Sequence, residues 1–114
     1  MSYCVYDTII IKEILKIFEK NNERAAIVIN NAGKVIGIIS EGDIIRALSK
    51  NISLYAPIKA ILLPSFLFLE ERDMKKAYAI FKSKKISLLP VINKNFELQE
   101  IITINEIFQF LDGN

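Results

Sequence analysis

Displaced by 63 positions, which carries Asp43 onto Glu106, the second half of this 114-residue chain falls on its first half without a gap. Lys12, Ile17, Phe18, Val28, Ile29, Asn30, Ile38, Ile39, Ile44 and Leu48 land on Lys75, Ile80, Phe81, Val91, Ile92, Asn93, Ile101, Ile102, Ile107 and Leu111. Ser40 over Thr103 and Asp43 over Glu106 differ conservatively. Such a repeat means two copies of one supersecondary unit, neither able to cover its own apolar face, packed about a pseudo-twofold axis. That arrangement sets two similar clefts side by side. The chain is read as a single module, 1–114, with repeat one at about 1–56 and repeat two at about 57–114.

Within each copy the apolar spacing sets the order of elements. Ile11, Ile14, Leu15 and Phe18 sit at i, i+3, i+4 and i+7, the spacing of a helix with one buried face, and Met74, Ala77, Tyr78 and Phe81 repeat it. Apolar, β-rich runs follow at Ala26–Asn30 and Leu88–Asn93. The first runs into Asn31-Ala32-Gly33-Lys34, a hairpin signal. Return strands are expected at Val35–Ser40 and Leu98–Thr103, then short helices at about Glu41–Ser49 and Ile104–Leu111. Tyr3–Tyr6 and Phe66–Leu69 are the expected leading strands, and Ile58–Leu63 a short helix ended by Pro64. The duplicated strand, helix, strand, strand, helix order predicts an α/β (α+β) fold: tandem βαββα repeats, two small sheets with helices outside.

Composition narrows the class. Hydrophobic residues make up 52% of the chain, which points to apolar surface kept for a partner, and a homodimer is expected. A net charge of +2 with dispersed lysines and arginines leaves no electrostatic footprint for nucleic acid. The longest apolar run, Ile61–Leu69, holds Pro64 and is far short of the roughly 20 residues a membrane helix needs. Cys4 is the single cysteine, so no internal disulfide can form; with no signal-peptide pattern, the expected location is the cytoplasm.

One stretch invites chemistry: Gly37-Ile38-Ile39-Ser40-Glu41-Gly42-Asp43. Gly37 permits close approach of a backbone or ligand. Ser40 ends a strand and Asp43 stands in the first turn of the next helix, so both reach the same mouth. A carboxylate there can accept hydrogen bonds from the two hydroxyls of a ribose, and the serine hydroxyl with the helix-start amides can meet a phosphate.

With these residues the chain resembles a CBS-domain pair, or Bateman module, whose motif is glycine, two apolar residues, Ser or Thr, two variable residues, then Asp. The resemblance runs from about Tyr3 to Leu111 and takes in Ala26–Asn30 and Leu89–Asn93. The pattern Ser40–Leu48 followed by Ile52–Ile58 is similar to pairs that accompany sugar-nucleotidyltransferase or sugar-phosphate isomerase domains. It implies a regulatory piece, with Met1 a true start and a catalytic domain after Asn114. The resemblance further implies AMP, ADP, ATP or S-adenosylmethionine as ligand, with no cofactor required. Ser40 and Asp43 would then hold ribose, Ala26 and Ile27 the base, and Arg24 a phosphate, while Thr8 would line the cleft. In copy two, Glu100 replaces the glycine and Glu106 the aspartate, Thr103 stays, and Ser87 stands where Arg24 does. The site around Ser40 and Asp43 is therefore the expected one.

A blander account competes. Ser40-x-x-Asp43 and Thr103-x-x-Glu106 are also capping boxes, and a cap contributes about 1 kcal/mol without any ligand. Capping is favoured for Thr103 and Glu106, ligand binding for Ser40 and Asp43. Arg24 alone reads as a solvated loop cation, Cys4 as a small apolar residue. Phe108 and Phe110 cannot both face inward on a short helix, which marks a partner surface. An enzyme is not expected: histidine is absent, the lone cysteine has no partner base, and the four glycines form no phosphate-cradling loop. Two readings stay open, a nucleotide-sensing regulatory module and a ligand-free dimerisation module that sets the oligomeric state of an enzyme.

Overall fold

A computed structural model describes residues 3–21 and 24–113; the expectations about the chain ends, at Met1 and Asn114, lie outside them. The chain divides into two compact units between Phe66 and Leu67. In the first, β1 (Cys4–Tyr6), α1 (Ile11–Asn21), β2 (Ala25–Ile29), β3 (Val35–Ser40) and α2 (Glu41–Ser49) follow in the expected order. The sheet order is β1-β2-β3, with β1 parallel and β3 antiparallel to the central β2. In the second unit α3 (Met74–Ser83) precedes a β4 (Leu88–Ile92)–β5 (Leu98–Thr103) hairpin, and α4 (Ile104–Asp112) closes it.

The helix periodicity does what its spacing implies in the first unit. Ile11, Ile14 and Phe18 are buried on α1 and meet Val28, Ile39 and Ile44 in one core. Ile58, fully buried, joins that core from the segment after α2 and contributes about 2–3 kcal/mol of burial. Its amide donates to the Ile9 carbonyl at 2.8 Å, and Ile11 and Lys12 donate to Ala56 and Leu54, both at 2.9 Å. These bonds tie the connecting segment to the first unit, so the compact units divide beyond the 56/57 point taken from the repeat. The expected Ile58–Leu63 helix is shorter, a single 3-10 turn at Ile58–Ala60.

Helix α2 ends in a Schellman motif: Ile52 N–H reaches Ala47 O at 3.2 Å, Asn51 N–H reaches Leu48 O at 3.0 Å, and Asn51 takes φ 68°. Both β hairpins are bulged at equivalent places, Val28/Ile29 and Val91/Ile92. Each turn is held by an asparagine: Asn30 Oδ1 accepts from Ala32 and Lys34, and Asn93 Oδ1 from Asn95 and Glu97. The left-handed position is Gly33 (φ 76°) in one and Phe96 (φ 61°) in the other.

The second unit departs from expectation at its leading strand. Phe66–Leu69 forms no strand; Leu69 alone bridges to Val91. In the first unit Val5 pairs with Val28, and the Ile27 amide donates to the Tyr3 carbonyl at 2.7 Å. Superposing Leu69–Val91 on Val5–Val28 puts Pro90 in the place of Ile27, and proline has no N–H to give. The ladder therefore stops at one bridge. Helix α3 is also less covered: only Ala77 of it is buried, while Met74, Tyr78 and Phe81 are half-buried.

Candidate functional site

In the first unit the end of β3 and the start of α2 bring Ser40, Asp43 and Arg24 together. Ser40 pairs with Ala25 across the sheet in an extended conformation that releases the chain into α2. Its hydroxyl accepts from Asp43 N–H at 3.1 Å, and Asp43 Oδ2 accepts from Ser40 N–H at 2.8 Å, a complete capping box. Asp43 Oδ1 accepts from Arg46 Nη2 at 2.6 Å. Capping and ligand binding are compatible here. A carboxylate has about four acceptor positions, and these bonds occupy two. Arg24 Nη1 stands 3.9 Å from Glu41 Oε1, with its side chain 84% exposed. An ion pair that exposed holds the arginine weakly and leaves it available to an anion.

Asp43 also lines a cavity of about 300 Å³ with Arg46, Ala47, Lys50, Ile52, Ile61 and Leu63. Asp43, Arg46, Ala47 and Lys50 share a helix face at i, i+3, i+4 and i+7. The connecting segment supplies the apolar side opposite. One acid, two cations and an apolar floor are the complement of a small anionic ligand with hydroxyls and a flat hydrophobic part. The sequence reading missed Arg46, Lys50 and the apolar lining; the helical spacing from Asp43 was the available signal.

The remaining expected residues are placed differently. Gly37 is covered by Leu62, whose Cδ2 would lie 3.2 Å from an added Cβ, so the close approach it permits is made by this side chain. Ala26 and Ile27 are buried in β2, and the Ile27 N–H is taken by the Tyr3 carbonyl just before β1. Thr8 is exposed just beyond β1, at the end of the sheet marked by the Tyr6–Ile29 pair. Ser40 is level with Ala25, so about 13 Å of strand separates the two ends. Thr8 does not share a cluster with Ser40 and Asp43 in this unit.

In the second unit Thr103 and Glu106 form a capping box as well, with Glu106 N–H to Thr103 Oγ1 at 3.3 Å and Thr103 N–H to Glu106 Oε2 at 3.1 Å. A residue the sequence reading left out sits beside them. Arg72, just before α3, pairs with Glu100 through Nη1 and lies 3.7 Å from Glu106 Oε1 through Nη2. The hydrogen bond to Glu100, above all, raises the Arg72 pKa further above its already high ordinary value. Its repeat partner is Ile9, so comparing the copies gives no hint of this cation.

Burial pushes the Cys4 thiol above its ordinary pKa, which suits a neutral packing role. Among the described residues no cluster of His, Cys, Asp and Glu is arranged to hold a metal ion, and no helix is long and apolar enough to cross a membrane.

The βαββα unit, its bulged hairpin and the capped Gly-x-x-Ser-x-x-Asp corner define the fold of a CBS-domain pair. Residues 2–50 match the family model described as CBS domain. Over most of the chain the fold is that of solved CBS-domain pairs. A CBS domain protein of Pyrobaculum aerophilum complexed with AMP is similar at 23% identity and TM-score 0.75, covering 97% of this chain and 91% of that one. The CBS domain pair of another protein, solved with 5′-methylthioadenosine and S-adenosyl-L-methionine, is similar at 25% identity and TM-score 0.76, covering 96% and 87%. An uncharacterized 17.7 kDa protein of Acidianus ambivalens is 27% identical over 110 residues. The chain spans 66%, 49% and 35% of the lengths of three curated relatives.

Proposed function

We propose that this chain is a regulatory CBS-pair module that binds an adenosyl nucleotide in its first unit. The observation that carries the reading is the 300 Å³ cavity in which Asp43, Arg46 and Lys50, side by side, look onto Ile52, Ile61 and Leu63. Asp43 takes ribose hydroxyls and Ser40 fixes its carboxylate through the cap. Arg46, Lys50 and the exposed Arg24 meet phosphate, and the apolar side meets the base. The AMP and S-adenosyl-L-methionine complexes of similar folds support this ligand class. Ligand that favours one arrangement of a linked partner biases it by no more than its differential affinity for the two states. The resemblance of Ser40–Ile58 to pairs that accompany sugar-nucleotidyltransferase domains supports such a domain as that partner, in the cytoplasm. Calorimetric titration with AMP, ADP, ATP, S-adenosylmethionine and CMP tests the reading. Saturable binding of an adenosyl ligand and none of CMP is expected; no heat from any of them refutes it.

A second reading has its own support. Ile104, Phe108 and Leu111 form an exposed stripe at i, i+4 and i+7 on α4, and Ile45 on α2, the repeat partner of Phe108, is 58% exposed. Such faces suit a homodimer that sets the oligomeric state of an enzyme without ligand.

A further inference from the structure

Glu100 and Glu106 occupy the repeat positions of Gly37 and Asp43, the two residues that distinguish the binding motif of the first unit. In the second unit they do not stand bare, because the Arg72 guanidinium spans both. The three groups join the segment before α3, the middle of β5 and the first turn of α4. Arg72 and its two carboxylates are each about two-fifths exposed, accessible to solvent yet paired with one another.

We propose that Arg72 is a latch: the chain's own guanidinium, paired with Glu100, ties up Glu106, the second-unit counterpart of Asp43, so that the module takes one nucleotide and not two. The inference rests on the site assignment made for Asp43. A ligand phosphate entering here would have to draw Arg72 from two carboxylates and would leave both acids facing its own charge. Both consequences oppose an anion. In the first unit the corresponding positions hold Ile9 and Gly37; Arg46 on α2 and Lys50 at its C-terminal end have the neutral partners Gln109 on α4 and Gly113 at its end. The asymmetry is therefore one of specificity: the second corner keeps its cap and gives up its anion site. Arg72 is a specificity-determining residue that excludes phosphate by its own pairing, and the same guanidinium becomes a phosphate ligand once the pairing with Glu100 is removed and that with position 106 loosened.

The double substitution Glu100→Gly with Glu106→Asp restores the first-unit residues, removes the Glu100 partner of Arg72 and draws the remaining carboxylate one methylene further from it. Titration with AMP reads the stoichiometry. One equivalent per chain is expected for the wild type and two for the double variant. In parallel, the Arg72 Nε–H resonance of the wild-type protein is followed during the titration and should stay in place at saturation, which tests the latch even if the variant does not fold. Two equivalents in the wild type, an Arg72 resonance that moves with AMP, or a folded variant with the wild-type stoichiometry overturns the latch while any first-site binding stands. No binding in the wild type with one equivalent in the double variant keeps the latch and removes the reading of the first unit.

Discussion

The two units share elements, hairpin bulge and capping box, yet differ at nearly every position a ligand would use. In the first, the Asp43 carboxylate is bonded to Arg46 and lines a cavity with it, Lys50 and apolar residues. In the second, the equivalent Glu106 is tied with Glu100 to Arg72. The helix start is capped alike in both, with carboxylate-to-amide bonds of 2.8 and 3.1 Å. A capping box is thus a folding device that both units keep, whatever surrounds it. Only the residues around it say whether a ligand can use it.

The largest expected difference between the units lies in their cores. Phe18 is 2% exposed on α1, whereas its repeat partner Phe81 is half-buried on α3. Phe18→Ala should cost about 4 kcal/mol by urea unfolding, within the range for large core truncations, and Phe81→Ala roughly half of that. Equal costs would mean that the second helix is as well packed as the first.

The hairpins give a smaller contrast. Gly33→Ala forces a side chain into φ 76° with nothing within 4 Å to reward it, and should cost about 1 kcal/mol. At Phe96 the change to glycine should be close to neutral. Relief of the left-handed strain, about 1–2 kcal/mol, is offset by the lost edge contact with Phe68 at 5.7 Å between ring centres. A stability gain well above 1 kcal/mol in Phe96→Gly would show that the ring contact contributes little.

Smallest of all is the expected difference between the caps. Ser40→Ala and Thr103→Ala should each lower stability by about 1 kcal/mol, measured by thermal unfolding, because folding sees two similar boxes. A cap that mattered in one unit only would break the correspondence on which the account is built.

Much of this fold was legible in the chain. The 63-position repeat and the 3.6 and 2 periodicities placed Val35–Ser40, Leu98–Thr103 and Glu41–Ser49 at their observed limits. The leading strand of copy two was misread because pairing depends on the neighbour as well as the strand. Phe66–Leu69 has strand composition, but its central partner carries Pro90 where the first unit has the amide of Ile27. In the site, Ser40 and Asp43 were legible from the motif, and Arg46 and Lys50 were recoverable from helical spacing. Arg72 was not. Its partner Glu100 is 28 residues away, and the repeat sets it against an isoleucine. Gly37 was read as permitting close approach of a backbone or a ligand, and the approach is made by Leu62, contributed by a segment outside the motif.

The most direct test sets the two carboxylates against each other: AMP binding by calorimetry to Asp43→Ala and to Glu106→Ala, each checked for folding by circular dichroism. Either change loses one capping box, about 1 kcal/mol against a typical domain stability of 5–15 kcal/mol, so both proteins should remain folded. The account predicts that Asp43→Ala abolishes binding and that Glu106→Ala keeps the wild-type affinity and its single equivalent. Binding that survives Asp43→Ala, or that is lost in Glu106→Ala alone, would contradict it.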